Sequence, residues 1–92
     1  MQLTNEKLEM LETMGANFFP IKDIAIVIEV NEHQLKQAIK DVSTEAHKRY
    51  HKGKLLTELE LRKSIVDLAK RGSNPAQKML LELLTDMRSS NI

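Results

Sequence analysis

Apolar residues recur at helical spacing along almost the whole chain, and the clearest case lies between Asn31 and Val42. Leu35, Ala38, Ile39 and Val42 fall within roughly 100° of arc when each residue turns about 100°. The same rotation gathers His33, Lys36, Gln37 and Lys40 on the opposite side. Asn31 can cap this helix, and Gln34 three residues later completes a capping-box pattern. Just upstream, Ile24, Ala25 and Ile28 mark a short helix over 21–28 that runs into Val30. Its IAIVIEV segment is β-branched and would suit a strand, but the chain offers no second β-like run to pair with it. The two helices together read as a helix-turn-helix. Glu29 stands where glycine commonly supplies the left-handed turn conformation, so this turn either carries a strain of about 1 kcal/mol or takes another form.

The flanking pattern predicts three further helices. The first covers 4–17, with Leu8, Leu11 and Met14 inward, Glu6, Glu9 and Glu12 outward, and Gly15 weakening or ending it. Phe18 and Phe19 are expected to plug the core where this helix meets the helix-turn-helix, with Pro20 in the first turn of the next helix. From Ser43 to Arg71 only Gly53 interrupts the helical pattern. Continuous, that helix would extend about 43 Å, more than the roughly 32 Å diameter of a compact globule of this length, so it protrudes unless Gly53 breaks it. Gly53 either lets another helix approach closely or acts as a hinge. Gly72-Ser73-Asn74-Pro75 is a stop and restart: Gly72 past one helix, Asn74 capping the next, Pro75 at its first position and Gln77 completing the pattern. The last helix, 75–88, places Ala76, Met79, Leu80, Leu83, Leu84 and Met87 on one core-facing stripe, and the short loop requires it to fold back antiparallel.

The expected fold is therefore all-α: a helix-turn-helix domain over 1–43, then a long antiparallel helical hairpin over 44–92. Leu55, Leu59, Leu61, Ile65, Val66, Leu68 and Ala69 span about half the circumference of the long helix, wider than one packing partner requires. Glu58 and Arg62, an i,i+4 pair of opposite sign, lie inside that arc. One side of the arc can pack on the last helix. The other is expected to pack on a neighbouring subunit, with Leu55, Glu58, Leu59, Arg62, Ile65, Val66 and Ala69 as the oligomer interface.

Composition narrows the chemistry. Ninety-two residues make one small chain that buries only about 60–65% of its unfolded surface, so self-association would help it. Cysteine is absent, which removes disulfides and thiolate metal sites. No apolar run approaches the roughly 20 residues of a membrane span, and MQLTNEKLEM has acids where a signal peptide needs an apolar core, so a cytoplasmic location without membrane attachment is expected. The net charge is only +1, but residues 31–54 hold six Lys/Arg against three acids while residues 1–30 hold two against five. Phosphate affinity grows with the number of contacts, so one copy would bind DNA weakly and several copies better.

The polar face suits the major groove of double-stranded DNA, where Lys reaches guanine acceptors and Gln pairs with adenine. The candidate DNA-contacting set is Asn31, His33, Gln34, Lys36, Gln37 and Lys40, with Lys22 on the preceding helix and Lys48, Arg49 and Lys52 on the long one. The run from His47 to Lys54 is either a phosphate-contacting patch or simply a solvated helix face, with Tyr50 packed beneath it. His47 and His51 stand at the i,i+4 spacing that can offer two imidazoles to zinc, yet no third ligand is evident. No phosphate-cradling loop, nucleophile with a base, or isolated carboxylate pair occurs, so no catalytic residue, metal or cofactor is expected.

The order of these parts resembles the small terminase subunits of tailed bacteriophages. The likeness rests on the IA…VNEHQL…I turn-and-helix followed by EAHKRYHKGKLLTELELRKSIVDLAKRGSNPAQKMLLEL. That stretch is similar to the family's succession of an Ala, an aromatic, a Gly, a charged amphipathic stretch, LA-x-x-G, P-A and an apolar helix. It covers nearly the whole chain. The resemblance implies a non-enzymatic packaging protein in the host cytoplasm, forming a ring of about eight or more copies. It would recognise viral DNA and regulate the large terminase subunit that holds the ATPase and nuclease. Carried onto this chain, His33, Lys36, Gln37 and Lys40 would read DNA and the hairpin from Leu55 to Met87 would build the ring. Glu29 departs from the family's turn glycine, and the chain stops soon after its last helix, where many relatives continue into a segment that contacts the large subunit. Two rivals remain: a dimeric helix-turn-helix transcription regulator, and a helical scaffolding protein without DNA binding.

Overall fold

The computed structural model describes residues 1–90, all-helical among them apart from turns: α1 (Asn5–Ala16), α2 (Ile21–Val27), α3 (Glu32–Lys40), α4 (Glu45–Lys70) and α5 (Asn74–Ser90). The chain forms two compact units, Met1–Thr57 and a second beginning at Glu58. The first therefore runs past residue 43 and takes in the first half of α4. The reason is Ala46 and Tyr50, which are buried in the same cluster as Leu8, Leu11, Met14, Ile24, Ala25, Ile28, Leu35 and Ile39. Leu11, Ile24 and Leu35 are the largest fully buried side chains, each contributing about 1.5–3 kcal/mol through burial.

Local chemistry sets the ends of the helices. Thr4 caps α1, its hydroxyl oxygen accepting from the Lys7 amide at 3.2 Å. Three helices end in the same double-bonded turn, with one residue in the left-handed region. After α1 the Phe18 amide bonds the Gly15 carbonyl and the Phe19 amide bonds Met14, with Phe18 at φ 61°. After α2 the Glu29 amide bonds Ile26 and the Val30 amide bonds Ala25, with Glu29 at φ 58°. After α4 the Gly72 amide bonds Ala69 and the Ser73 amide bonds Leu68, with Gly72 at φ 100°. Glycine takes that conformation freely, whereas Phe18 and Glu29 hold it at a cost of about 1 kcal/mol each.

Phe18 and Phe19 are not a core plug. Both are exposed, because the left-handed residue turns the chain outward at this corner. The aromatic that closes the first unit is Tyr50, whose ring and carbonyl lie against Gly15. Gly15 sits inside α1 instead of ending it, and α4 runs unbroken through Gly53. A methyl group on Gly53 would stand well inside contact distance of the Glu12 carbonyl oxygen and 3.0 Å from the Ala16 nitrogen. Both glycines thus serve close approach between α1 and α4, and Gly53 is not a hinge.

Val42 leaves the α3 stripe and is exposed. Asp41 ends the helix in an extended conformation, and its carboxylate accepts from both the amide and the hydroxyl of Ser43 at 3.0 and 2.7 Å. Those bonds hold the Asp41 carboxyl below the usual carboxylate range. Thr44 then caps α4 by accepting from the His47 amide, while its hydroxyl donates to the Ala38 carbonyl at 2.6 Å.

In the second unit the cap of α5 falls on Ser73, one residue before the expected Asn74, with the Ala76 amide donating to the Ser73 hydroxyl at 3.4 Å. Gln77 turns instead to the end of α4, its side-chain amide donating to the Ala69 carbonyl at 3.1 Å. Ala69 and Ala76 are buried, and Leu80, Leu83 and Leu84 are half-buried. Met79 and Met87, expected in the core, are each half exposed. Small side chains fill the close contact between α4 and α5, and the two methionines lie outside it.

Candidate nucleic-acid interface

The surface is built on α3. Its side chains Leu35 and Ile39 are buried and Ala38 is half-buried, which fixes the rotation of the helix. His33, Lys36, Gln37 and Lys40 are consequently all exposed on the opposite side. The N-terminal end is set by Asn31, whose side-chain oxygen accepts from the Gln34 amide at 2.9 Å. Asn31 and Gln34 thus lie at the helix start, and Asn31 is held in a structural bond. The C-terminal end is pinned to α4, because the Nδ1–H tautomer of His47 donates to the Ile39 carbonyl at 2.6 Å. With the hydroxyl of Thr44 on Ala38, this satisfies two carbonyls of the last turn and fixes how the helix is presented.

The remaining candidates differ in what occupies them. Lys22 is exposed in the first turn of α2. Lys48 and Lys52 are exposed and lie one turn apart on the side of α4 opposite Ala46, Tyr50 and Gly53, although Lys48 also approaches Glu45 at 3.8 Å. Arg49 is not on that side: its guanidinium donates to Glu12 at 2.8 Å, with both side chains about three-quarters covered. It ties α1 to α4 and is not brought together with the α3 face. Lys54 lies over the Tyr50 ring at 5.2 Å and the Phe18 ring at 5.9 Å, which commits it to the corner after α1.

One member of the surface escaped the pattern reading. Glu32, in the first turn of α3, is exposed and pairs with Lys36 at 3.1 Å. The signal for it in the sequence is its i,i+4 spacing from Lys36. The interface is therefore polar with mixed charge at its leading end and basic towards Lys40.

His47 and His51 have ring centroids 4.4 Å apart, but no cluster of three potential metal ligands occurs among the described residues. Burial, helped by the nearby His47 and Lys54 side chains, lowers the His51 imidazole below its ordinary value. No described helix is long and apolar enough to cross a membrane.

Of the residues expected at an oligomer interface, Leu55 and Leu59 are exposed, Ile65 and Val66 half-buried, and Glu58 and Arg62 paired at 2.9 Å. Ala69 is already buried beside the first turn of α5. Leu61 and Leu68, 60% and 48% exposed, lie outside that set and carry more free apolar surface than the half-buried Ile65 or Val66. Comparison of the chain with protein-family models, with curated proteins and with solved structures finds no match.

Proposed function

We propose that the protein is a self-assembling, non-enzymatic DNA-binding protein of the phage small terminase kind. Its α2–turn–α3 segment acts as a helix-turn-helix that recognises double-stranded DNA for packaging, and a large ATPase/nuclease subunit is its partner. The observation that carries this reading is the exposed face of α3, where His33, Lys36, Gln37 and Lys40 stand opposite the buried Leu35 and Ile39. A short helix with such a face, capped by Asn31 and pinned at its end, fits the major groove. Lys22 from the preceding helix and Lys48 and Lys52 from α4 are the candidate phosphate contacts.

Assembly is supported by the second unit. Within it only Ala69 and Ala76 are buried among the described residues, and its larger apolar side chains are at most half-buried, so the unit leaves much apolar surface open. Apart from Met87 near the end of α5, its exposed apolar side chains fall on two flanks. At about 100° per residue, Leu61 and Leu68 lie on one side of the half-buried Ile65 and Val66 strip of α4, and Leu59 on the other. On α5, Met79 and Leu81 are likewise exposed on either side of Leu80, Leu83 and Leu84. Two different flanks suit head-to-tail association, which gives a ring where the rotation between copies closes, better than the self-complementary patch of a dimer. In such an assembly several weak DNA-binding faces act together.

The test is native mass spectrometry of the protein alone and with a short duplex, paired with the Lys36→Glu, Lys40→Glu double variant. A ring of about eight or more copies that binds duplex, and a double variant that assembles but loses DNA, is the expected result. A dimer would favour a transcription regulator. Unchanged DNA binding by the double variant would refute the α3 interface.

A further inference from the structure

Glu32 and Lys36 share one turn of the exposed α3 face, with the carboxylate 3.1 Å from the ammonium. Each side chain is about half exposed, so the pair is open to a ligand from outside. An acid in the first turn stabilises a helix N-terminus, and an i,i+4 pair adds a few tenths of a kcal/mol. Against a phosphate surface, however, a carboxylate at the leading end of the helix is unfavourable unless it meets a donor.

The major groove supplies such a donor. The edge of a C·G pair presents the cytosine N4 amino group beside the guanine O6 and N7 acceptors. The amino group and O6 are themselves hydrogen-bonded, hence about 2.9 Å apart, close to the separation of the carboxylate and ammonium in the Glu32–Lys36 pair. A carboxylate accepts from the first and an ammonium donates to the second. Reversing the base pair puts the carboxylate against two acceptors and the ammonium against a donor. An A·T pair in the same orientation still offers the carboxylate a donor in adenine N6, but it gives the ammonium only the single O4 acceptor beside a methyl group, where guanine offers both O6 and N7.

Resting on the DNA-binding role proposed above, we infer that Glu32 is a specificity-determining residue: with Lys36 it reads one C·G pair in a fixed orientation, and its charge weakens binding to every other sequence. The first turn of α3 thereby selects, while the basic end around Lys40 holds the backbone.

The test is selection from a pool of duplexes with a randomised core, using the full-length protein and Glu32→Gln at low salt, with sequencing of the retained DNA. Glutamine keeps the size of the side chain but adds a donor, which suits the adenine N6 and N7 edge. The wild type should enrich C at one position. Glu32→Gln should lose that enrichment on the order of tenfold, shift it towards A, leave other positions unchanged and bind unselected duplex more tightly. Retention of duplex with identical base preferences in both proteins would overturn the inference while leaving the DNA-binding role intact. If the wild type retained no duplex at all, both would fall. A circular dichroism melt of Glu32→Gln matching the wild type would exclude loss of fold as the cause of a changed preference.

Discussion

Gly53→Ala tests the packing of the first unit by the sign of its effect. In an open stretch of helix, replacing glycine by alanine stabilises by about 1 kcal/mol, because glycine loses more backbone freedom on folding. Gly53 is not in the open. The added Cβ would overlap the Glu12 carbonyl oxygen and lie 3.0 Å from the Ala16 nitrogen and 3.1 Å from the Glu12 carbonyl carbon. All three are backbone atoms, so no rotamer change relieves the overlap and α1 itself must withdraw from α4. Withdrawal also loosens the 2.8 Å Arg49–Glu12 pair and the contact of Tyr50 with Gly15. Overpacking of this kind costs typically about 1–3 kcal/mol, or more where backbone must move. Because backbone must move, the cost falls in the upper part of that range, about 2–3 kcal/mol, and set against the propensity gain of about 1 kcal/mol it leaves a destabilisation of about 1–2 kcal/mol, a fall in melting temperature of roughly 5–15 °C. The assay is thermal unfolding by circular dichroism at one fixed protein concentration, since the proposed assembly would make the midpoint concentration-dependent. Gly15→Ala should destabilise less, because one of its close neighbours is the Tyr50 side chain, which can shift. A Gly53→Ala protein that melts higher than the wild type would refute the close approach of α1 and α4.

Three further outcomes follow from the same geometry. Glu29→Gly should stabilise by about 0.5 kcal/mol in urea unfolding, since relief of the left-handed strain at φ 58° is partly offset by the freer unfolded chain; a lower midpoint would contradict the turn described. His51 binds its proton less tightly in the folded than in the unfolded state, so below about pH 6.5 the unfolded chain takes up more protons and stability declines as pH falls. His51→Gln should flatten that decline between pH 7 and 5, and an unchanged slope would assign it to other groups. Leu61→Ser with Leu68→Ser should reduce the light-scattering mass towards a monomer while preserving helicity, and an unchanged mass would remove this flank from the interface.

Periodicity made the helices legible, because a buried stripe leaves a regular trace in the sequence. Leu35 and Ile39 declared both the core side and the polar side of α3, and the burial of both is what presents His33, Lys36, Gln37 and Lys40. The corners were legible only where composition was distinctive. Gly72 announced its turn, but Phe18 takes the same conformation with a side chain that ordinarily avoids it, so its exposure could not be read from its hydrophobicity. Gly15 and Gly53 were ambiguous for the opposite reason: a glycine inside a helix looks like a break until the backbone lying against it is known.

The same logic separates the cations, which the sequence presents as one run. Arg49 is turned to Glu12 and Lys54 to two aromatic rings, while Lys48 and Lys52 face away from the core. The rotation of α4, set by Ala46, Tyr50 and Gly53, decides which charges brace the fold and which stay available to a phosphate backbone. A charge count along the chain cannot make that distinction. On α3 it counts Glu32 but not its placement, just outside the basic arc and paired with the first lysine of that arc. The α3 face is better described as a graded surface, of mixed charge at its capped end and basic at its pinned end, than as a basic patch. On the proposed reading, one copy of such a surface would bind DNA weakly, and assembly through the exposed leucines of the second unit would supply by repetition the affinity that the charge of one copy does not.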